Sequence, residues 1–426
     1  MTAGRKLELG LLLAGAGAYW IALALLNTFQ ARAFSFNFHF AWLPLAFLAL
    51  WLILLKVAPQ ADTVVLVPVT LLSELGMLVL LRISPAYAMR QGVWFAIGLL
   101  VCLLIPLAFK MPSKLRVYKY TLGGLAVLLI GASLVFGYEA GGARLWLKFG
   151  SFSLQPAEPG KLFLILFLAA YLAEVGPLFA TQAGLPLKAR LKYVMPVVAF
   201  ALVALLLFIR MKDLGAAGLF MGLFLAMFYL ASGDRKLVGL GAGVFLAGAV
   251  AASFALPHVQ NRLNAFWAPW VHYDGPGYQV AQALMSLGNG GLVGTGLGAG
   301  LGGIWLGANS LVPNALTDMP FIIICEELGA IAGLAVLVLF AALVARLFYG
   351  ALTLRATFGK LVAAGIASLI ALHVALIVGG VLKVLPLTGI TTPFISYGGS
   401  SLLTNFALVG LYLALTREEG RYAPGA

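Results

Sequence analysis

PFIIICEELGAIAGLAVLVLFAALVA, residues 320–345, is apolar along its whole length except for one adjacent pair of carboxylates, Glu326 and Glu327. A helix needs roughly 20 apolar residues to cross the hydrocarbon core of a bilayer, so this stretch reads as a membrane span. Similar runs occupy 9–27, 40–57, 63–81, 91–109, 119–137, 160–178, 193–209, 214–232, 237–255, 360–382 and 395–415. Backbone groups in lipid must pair within their own segment, which favours helices. The expected fold is therefore an all-α polytopic membrane protein of about twelve transmembrane helices. Composition agrees: of 426 residues, 62% are hydrophobic and 10% charged. A soluble chain carries about 25% charged residues, and no soluble core could hide so much apolar sequence.

The net charge of +13 comes from 27 Lys and Arg against 14 Asp and Glu. In a soluble chain that balance would point to nucleic acid. In a membrane protein, basic residues gather in cytoplasmic loops and set topology, and no nucleic-acid partner is expected. With Arg5 and Lys6 placed inside, the inner loops hold Lys56, Lys110, Lys114, Arg116, Lys119, Lys188, Arg190, Lys192, Arg235, Lys236, Arg346, Arg355, Lys360, Arg417 and Arg421. That is about 17 of the 27 cations, which supports twelve spans with both termini cytoplasmic. Ala31-Arg32-Ala33 resembles a signal-cleavage site, but the preceding apolar run is long for a signal peptide, so a retained helix is expected. Cys102 and Cys325 lie in apolar runs, and neither they nor the four histidines form a metal motif or a disulfide pattern.

One loop differs from the rest. Residues 256–319 carry no lysine and only Arg262 among arginines, and are rich in Gly, Trp, Tyr and Asn. Long loops are usually functional or disordered. The aromatics Phe266, Trp267, Trp270, Tyr273, Tyr278 and Trp305 argue against disorder and suit an external loop folded back on the membrane surface. Its glycines, from Gly288 to Gly298, lack a phosphate-loop lysine and read as tight turns and close backbone approach. Residues Ser396 to Ser401, at the start of the last span, read the same way.

Ionisable groups at or within spans are costly and point to function. Glu158 and Lys161 are three apart at the mouth of the sixth span, and so neighbour each other on one helix face. They serve either as an interfacial ion pair anchoring the helix end or as a charged pair lining a polar cavity. Asp213 opens the eighth span and Asp318 precedes the tenth, each where Asp is favoured as a helix cap. Glu326 and Glu327 follow two turns on; adjacent residues do not share a helix face, so a structural network is expected for this pair. The topology puts Arg144, Glu158, Lys161, Asp213, Arg262 and Asp318 on the outer side. Charges of both signs suit an anionic, lipid-linked substrate, with carboxylates to take a proton or hold a cation and Arg and Lys to clamp phosphate.

The segment from Pro386 through Thr391, Thr392, Ser396 and Gly398 to Ser401 resembles the C-terminal signature of the SEDS family (shape, elongation, division and sporulation). Further blocks match in order: Gly142 to Arg144 with Trp146; Gln155-Pro156 with Glu158 and Lys161; Asp213 to Gly215; Gly277 to Gln279 with Gln282; and Thr317-Asp318 followed by Glu326 to Gly329. The likeness covers about residues 80–416, and the Gly379-Gly380 and Thr391-Thr392 variants look closer to its RodA-like branch. It implies a ten-helix core in residues 63–426, including the external loop 256–319, preceded by two additional helices within 1–62. It also implies a peptidoglycan glycosyltransferase of the bacterial cytoplasmic (inner) membrane, polymerising lipid II at the outer face during cell elongation or division.

On that resemblance Asp318 is the catalytic group, and Arg144, Glu158, Lys161, Asp213, Arg262, Gln282, Ser396 and Ser400 meet substrate. Glu326 and Glu327 are structural. A divalent cation (Mg or Mn) fits the chemistry, with no ligand set legible and no organic cofactor implied. Expected partners are a class B penicillin-binding protein and other elongation or division proteins. A lipid II flippase, or a non-catalytic scaffold for a transpeptidase, would need a similar polar cavity. The chain departs from the pattern at four places. Met211-Lys212 replaces Gln-Pro, Leu316 stands where many members carry His, and the Asn common near Ile377 and the Gly common near Lys383 are absent.

Overall fold

A computed structural model describes residues 3–29, 40–140, 143–150, 152–181, 187–301, 305–306 and 309–420. Ala31-Arg32-Ala33 lies outside these. The membrane helices are α1 (Ala3–Phe29), α2 (Trp42–Val57), α3 (Leu66–Ile83), α4 (Pro85–Ala108), α5 (Lys119–Phe136), α6 (Ala157–Thr181), α7 (Leu187–Arg210), α8 (Leu214–Ser232) and α9 (Arg235–Ala255). After an intervening loop come α12 (Pro320–Thr353), α13 (Thr357–Val381) and α14 (Gly399–Gly420). Among the described residues eleven helices are long and apolar enough to span a membrane, and α2, at 16 residues, is the shorter twelfth.

The centre of the bundle is formed by α3, α13 and α14, while α9 buries little beyond Leu237. Small residues set the closest approaches. A Cβ on Gly98 of α4 would stand 2.4 Å from the Phe406 ring, and one on Gly410 of α14 would stand 3.0 Å from the Cys102 carbonyl. Without a hydrophobic drive between helices in lipid, such contact packing holds the bundle.

Both described ends of the chain meet at one end of the bundle. Arg5 donates to the Pro59 carbonyl at 3.0 Å, and the Thr416 hydroxyl accepts from the Asp62 N–H at 3.1 Å. In the same layer Glu8 accepts from Trp51 Nε1 (2.8 Å) and the Thr63 hydroxyl (2.5 Å). The Arg346 guanidinium grips both oxygens of Asp62 (2.8 and 2.7 Å), with the Tyr412 hydroxyl at 2.6 Å. Glu8 is buried and Arg5, Asp62 and Arg346 are half-buried, and each has a partner of opposite charge; together they tie α1 and α2 to the rest of the bundle.

The opposite end carries structure that hydropathy alone does not show. Between α5 and α6 a three-stranded antiparallel sheet forms from β1 (Tyr138–Ala140), β2 (Ala143–Phe149) and β3 (Phe152–Leu154). The loop 256–319 contains α10 (Pro257–Trp267), α11 (Tyr278–Gly290) and a short pair, β4 (Trp305–Leu306) with β5 (Asn309–Ser310). The expected helical membrane fold stands, and two small sheets add to it at this end. Short alternating strands carry a weaker signal than twenty-residue apolar runs.

Helix α12 is broken. Gly329 has φ 84° and ψ 170°, which separates a half-helix, Pro320–Leu328, from the rest. A break in lipid is tolerated only where other groups re-pair the freed backbone. Here the loop after α11 does so. Thr295 N–H donates to the Glu326 carbonyl and Gly296 N–H to that of Glu327, both at 2.9 Å, while Ala330 and Ile331 donate to Gly291 (2.9 Å) and Leu292 (3.2 Å). The approach is so close that a Cβ on Gly294, whose φ is +84°, would lie 2.3 Å from the Glu327 carbonyl. The glycine-rich stretch is therefore the backbone partner of a broken helix.

Candidate active site

The end of the bundle remote from the termini encloses a cavity of about 820 Å³. Its wall is contributed by α4, the β-sheet, the first turns of α6 and α8, α10, α11, the turn before α12 and the loop 387–399. Asp318, Asp213, Arg262, Glu158 and Lys161 all line it, so five of the sequence-derived candidates come together.

Asp318 sits on a turn built around Asn314, whose carbonyl accepts from the N–H groups of Thr317 (3.1 Å), Asp318 (2.9 Å) and Met319 (3.2 Å). Asn314 has φ +56°, a conformation Asn tolerates better than most residues. Pro320 then starts the half-helix with Met319 as its cap residue and no capping side chain. The Asp318 carboxylate is therefore not used as a helix cap and faces the cavity. Burial pushes its pKa up to about 6, against the Thr317 hydroxyl and the Arg262 cation, which hold it down; Asp213 adds to the rise.

Arg262, on α10, is fixed by two backbone carbonyls, Leu387 (3.1 Å) and Thr388 (2.9 Å). Between it and Asp318 lies Gly389, with φ +70°. A Cβ there would sit 3.6 Å from Asp318 Oδ2 and 3.9 Å from Arg262 Nη2, so this glycine leaves space beside both groups. Asp213 caps α8, accepting from the Ala216 N–H at 2.9 Å. Its carboxyl is raised by burial above the usual range, opposed by that hydrogen bond, Lys161 and Arg262, and assisted by Glu158. Glu158 accepts from Lys161 Nζ at 2.7 Å, both side chains being buried.

Four expected substrate contacts are placed elsewhere. Arg144 is exposed on β2, opposite Glu139, with its Nε 3.9 Å from that carboxylate; its neighbours Leu145 and Trp146 line the cavity instead. Gln282 donates to the Tyr273 hydroxyl at 2.8 Å, and Gln279, one turn earlier, takes the wall position. The Ser396 hydroxyl accepts from the Thr392 N–H (2.8 Å) and that of Ser400 from the Gln155 N–H (2.9 Å). Both serines fold the loop that shapes the cavity. Glu326 and Glu327 form the expected network: Glu326 accepts from Asn289 and from the Leu301 N–H, each at 3.0 Å, and Glu327 from Arg82 (2.9 Å) and the Gly298 N–H (2.8 Å).

Sequence reasoning missed Arg90, Trp94, Tyr397 and Asn314 on the wall, and His373 behind it. The signal available for Arg90 and His373 was a polar group at or inside an apolar run. Three departures from the family pattern also gain a location. Lys212 and Lys383 both have positive φ (61° and 57°), and the Leu316 carbonyl accepts from the Tyr397 N–H at 2.8 Å, joining the Asp318 turn to the C-terminal loop. Among the described residues no group of three or more His, Cys, Asp or Glu side chains could hold a metal ion.

Fold and cavity together define a polytopic membrane protein with a buried acid–base and cation cluster at one end of its bundle. The chain belongs to the FtsW, RodA and SpoVE family of cell cycle proteins, whose model matches residues 50–421. It is 35% identical over 417 residues to the peptidoglycan glycosyltransferase RodA of Mycobacterium leprae, covering 93% of this chain and 87% of that one. It is 33% identical to the stage V sporulation protein E of Bacillus subtilis, covering 78% and 87%. The rod shape determining protein RodA of Thermus thermophilus superposes with a TM-score of 0.61 at 26% identity, covering 85% of this chain and 98% of that one. A chain from a structure described as the structural coordination of polymerization and crosslinking by a peptidoglycan synthase complex gives 0.69 at 28%, covering 85% and 99%.

Proposed function

We infer that this chain is a peptidoglycan glycosyltransferase that polymerises lipid II into glycan strands at the outer face of the cytoplasmic membrane. The observation that carries the mechanism is the Asp318 carboxyl, free of capping duty, raised to about 6 and facing the cavity beside Arg262. A base with that value is ionised at neutral pH yet basic enough to share a proton in the transition state. Asp318 takes the proton of the acceptor GlcNAc 4-hydroxyl as its oxygen attacks the MurNAc anomeric carbon. Undecaprenyl pyrophosphate leaves from the opposite side. Converting an α-linked donor to a β-linkage by one displacement inverts the centre, so a single base suffices. Lys161 and Arg262 supply fixed positive charge for the leaving diphosphate.

A divalent cation (Mg or Mn) would find its protein oxygens in Asp318 and Asp213, which face the same cavity, and its other ligands in substrate phosphates, as is usual for magnesium. When bound it would neutralise diphosphate charge.

The outward orientation of the cavity is supported by the opposite end, which holds Arg5, Arg346, Arg355 and Arg417, as expected of a cytoplasmic face. The cavity lining draws on one end of the bundle alone, which favours chemistry at a surface over passage across the bilayer. The likeness to a chain from a peptidoglycan synthase complex supports a class B penicillin-binding protein as partner, and the longer match to RodA relatives supports an elongation role.

The test is Asp318→Ala in the purified complex with that transpeptidase. Loss of glycan polymer with expression and partner binding retained is expected. Undiminished polymer would remove Asp318 from catalysis, and loss of partner binding would favour a scaffold.

A further inference from the structure

His373 lies inside α13, a helix built of apolar and small residues beyond Lys360 of its first turn, and is 1% exposed. Its Nε2 is 3.1 Å from Lys161 Nζ, which also donates to Glu158 at 2.7 Å. An ammonium has three donors and no acceptor, so Nε2 must be the acceptor and the ring proton sits on Nδ1. That Nδ1 has no hydrogen-bond partner among the described residues. A buried donor without a partner is costly, and an apolar side chain of the same shape would avoid the cost. Packing therefore does not account for a histidine here. What the position gains is the lone pair on Nε2.

Lys161 is long and has many rotamers. Glu158 is on the same helix, one turn away, and holds the ammonium from one side only. His373 reaches it from a different helix. With two donors engaged by α6 and α13, the ammonium is fixed and its third N–H is left for the cavity that Lys161 lines. His373 itself is not part of the cavity wall. We propose that His373 is a positioning residue for polymerisation, holding the Lys161 ammonium toward the diphosphate of the lipid-linked donor. This rests on the polymerase reading above and adds a residue to it.

The experiment uses the full chain in complex with its transpeptidase, crosslinking blocked by penicillin, with lipid II as substrate. His373→Phe keeps the ring and removes the acceptor, and is expected to lower kcat by about 10- to 100-fold, the scale of a misplaced catalytic group. His373→Gln, whose Oε1 reaches the place of Nε2, is expected to stay within about threefold of wild type. In a Lys161→Ala background, His373→Phe should add no further loss, because the ammonium it positions is gone. A silent Phe variant, a Gln variant no better than Phe, or an equal further loss without Lys161 would each overturn the assignment. If the Phe variant does not yield folded protein, His373→Leu takes its place in the same comparison with Gln. Absence of polymer from the wild-type complex would instead overturn the polymerase reading, so the two failures are distinguishable.

Discussion

Lowering the pH from 7 to 5 should slow polymerisation about tenfold, and the size of that fall follows from the setting of Asp318. Its carboxyl is raised by burial to about 6. The catalytic form is the ionised one, since only the carboxylate can accept the acceptor sugar's proton. At pH 7 about nine-tenths of the sites are ionised, and at pH 5 about one-tenth, which gives the tenfold ratio with the rate falling as pH falls. An aspartate at its ordinary value of about 3.9 would be more than nine-tenths ionised at both pH values, and the rate would barely change. The assay is polymer length and yield from labelled lipid II at saturating substrate, at half-unit steps from pH 5 to 8, with crosslinking blocked. A flat profile, or a rate that rises toward pH 5, would refute the role of an ionised Asp318.

A second arm tests the cause. Asp213 contributes to the raised value through its negative charge. Asp213→Asn removes that charge while keeping an efficient helix cap, so the acid limb should move to lower pH. A limb that moves upward would contradict the electrostatic account.

Gly294→Ala should prevent accumulation of folded protein, because its Cβ would meet the Glu327 carbonyl at 2.3 Å and its φ is +84°. Gly291→Ala has open space around the Cβ, but φ +52° with ψ −142° is a backbone conformation that suits only glycine, so it should cost about 2–3 kcal/mol, read as a drop in thermal midpoint in detergent with folded protein still recovered. Lys383→Gly should stabilise the fold by about 1 kcal/mol in the same measurement, since Lys383 follows the end of α13 with φ 57°, where glycine carries no Cβ penalty. Lys161→Ala should lower polymerisation by about 100-fold, the scale of a lost charge-stabilising donor. Lys148→Ala should stay within about twofold, because Lys148 is exposed on β2 and absent from the cavity wall.

The bundle was legible because lipid imposes one rule on every span: length and apolarity. The same rule hid the break in α12. Gly329 sits in a run that hydropathy reads as continuous, and only the pairing of residues 291–296 with the freed carbonyls reveals it. Charge beside spans, costly to place without a partner, marked Glu158, Lys161, Asp213, Arg262 and Asp318, and these five line one cavity. Arg144 was drawn in by a motif that holds Trp146 as well, and the sheet places the aromatic side chain on the cavity wall. Ser396 and Ser400 were drawn in by a glycine–serine loop whose hydroxyls are consumed by backbone N–H groups. Hydroxyls near a site carry no mark in the sequence that separates loop folding from substrate contact. His373 was missed because a lone histidine in an apolar helix usually reads as packing, and the three-dimensional fact that changes this is Lys161 approaching from another helix.

The broken helix explains how a carboxyl with a raised pKa can be held in place without being spent on structure. A continuous α12 would satisfy its own backbone and leave its first turn to be capped, and Asp318 is a residue type that caps well. The break instead anchors the half-helix at its far end. The freed carbonyls of Glu326 and Glu327 take N–H groups from residues 295 and 296, and their side chains bind Asn289, Arg82 and the backbone of residues 298 and 301. At the near end the turn is closed by the Asn314 carbonyl and Pro320 supplies the helical start. With both ends of Pro320–Leu328 held by other groups, the Asp318 side chain has no structural hydrogen bond to make to the helix it precedes. Its carboxyl is then raised by burial and by Asp213 and held down by Thr317 and Arg262. The charged pair within α12 and the carboxylate before it thus have complementary places: Glu326 and Glu327 carry the architecture, which leaves the Asp318 carboxyl available for the proton transfer proposed for it.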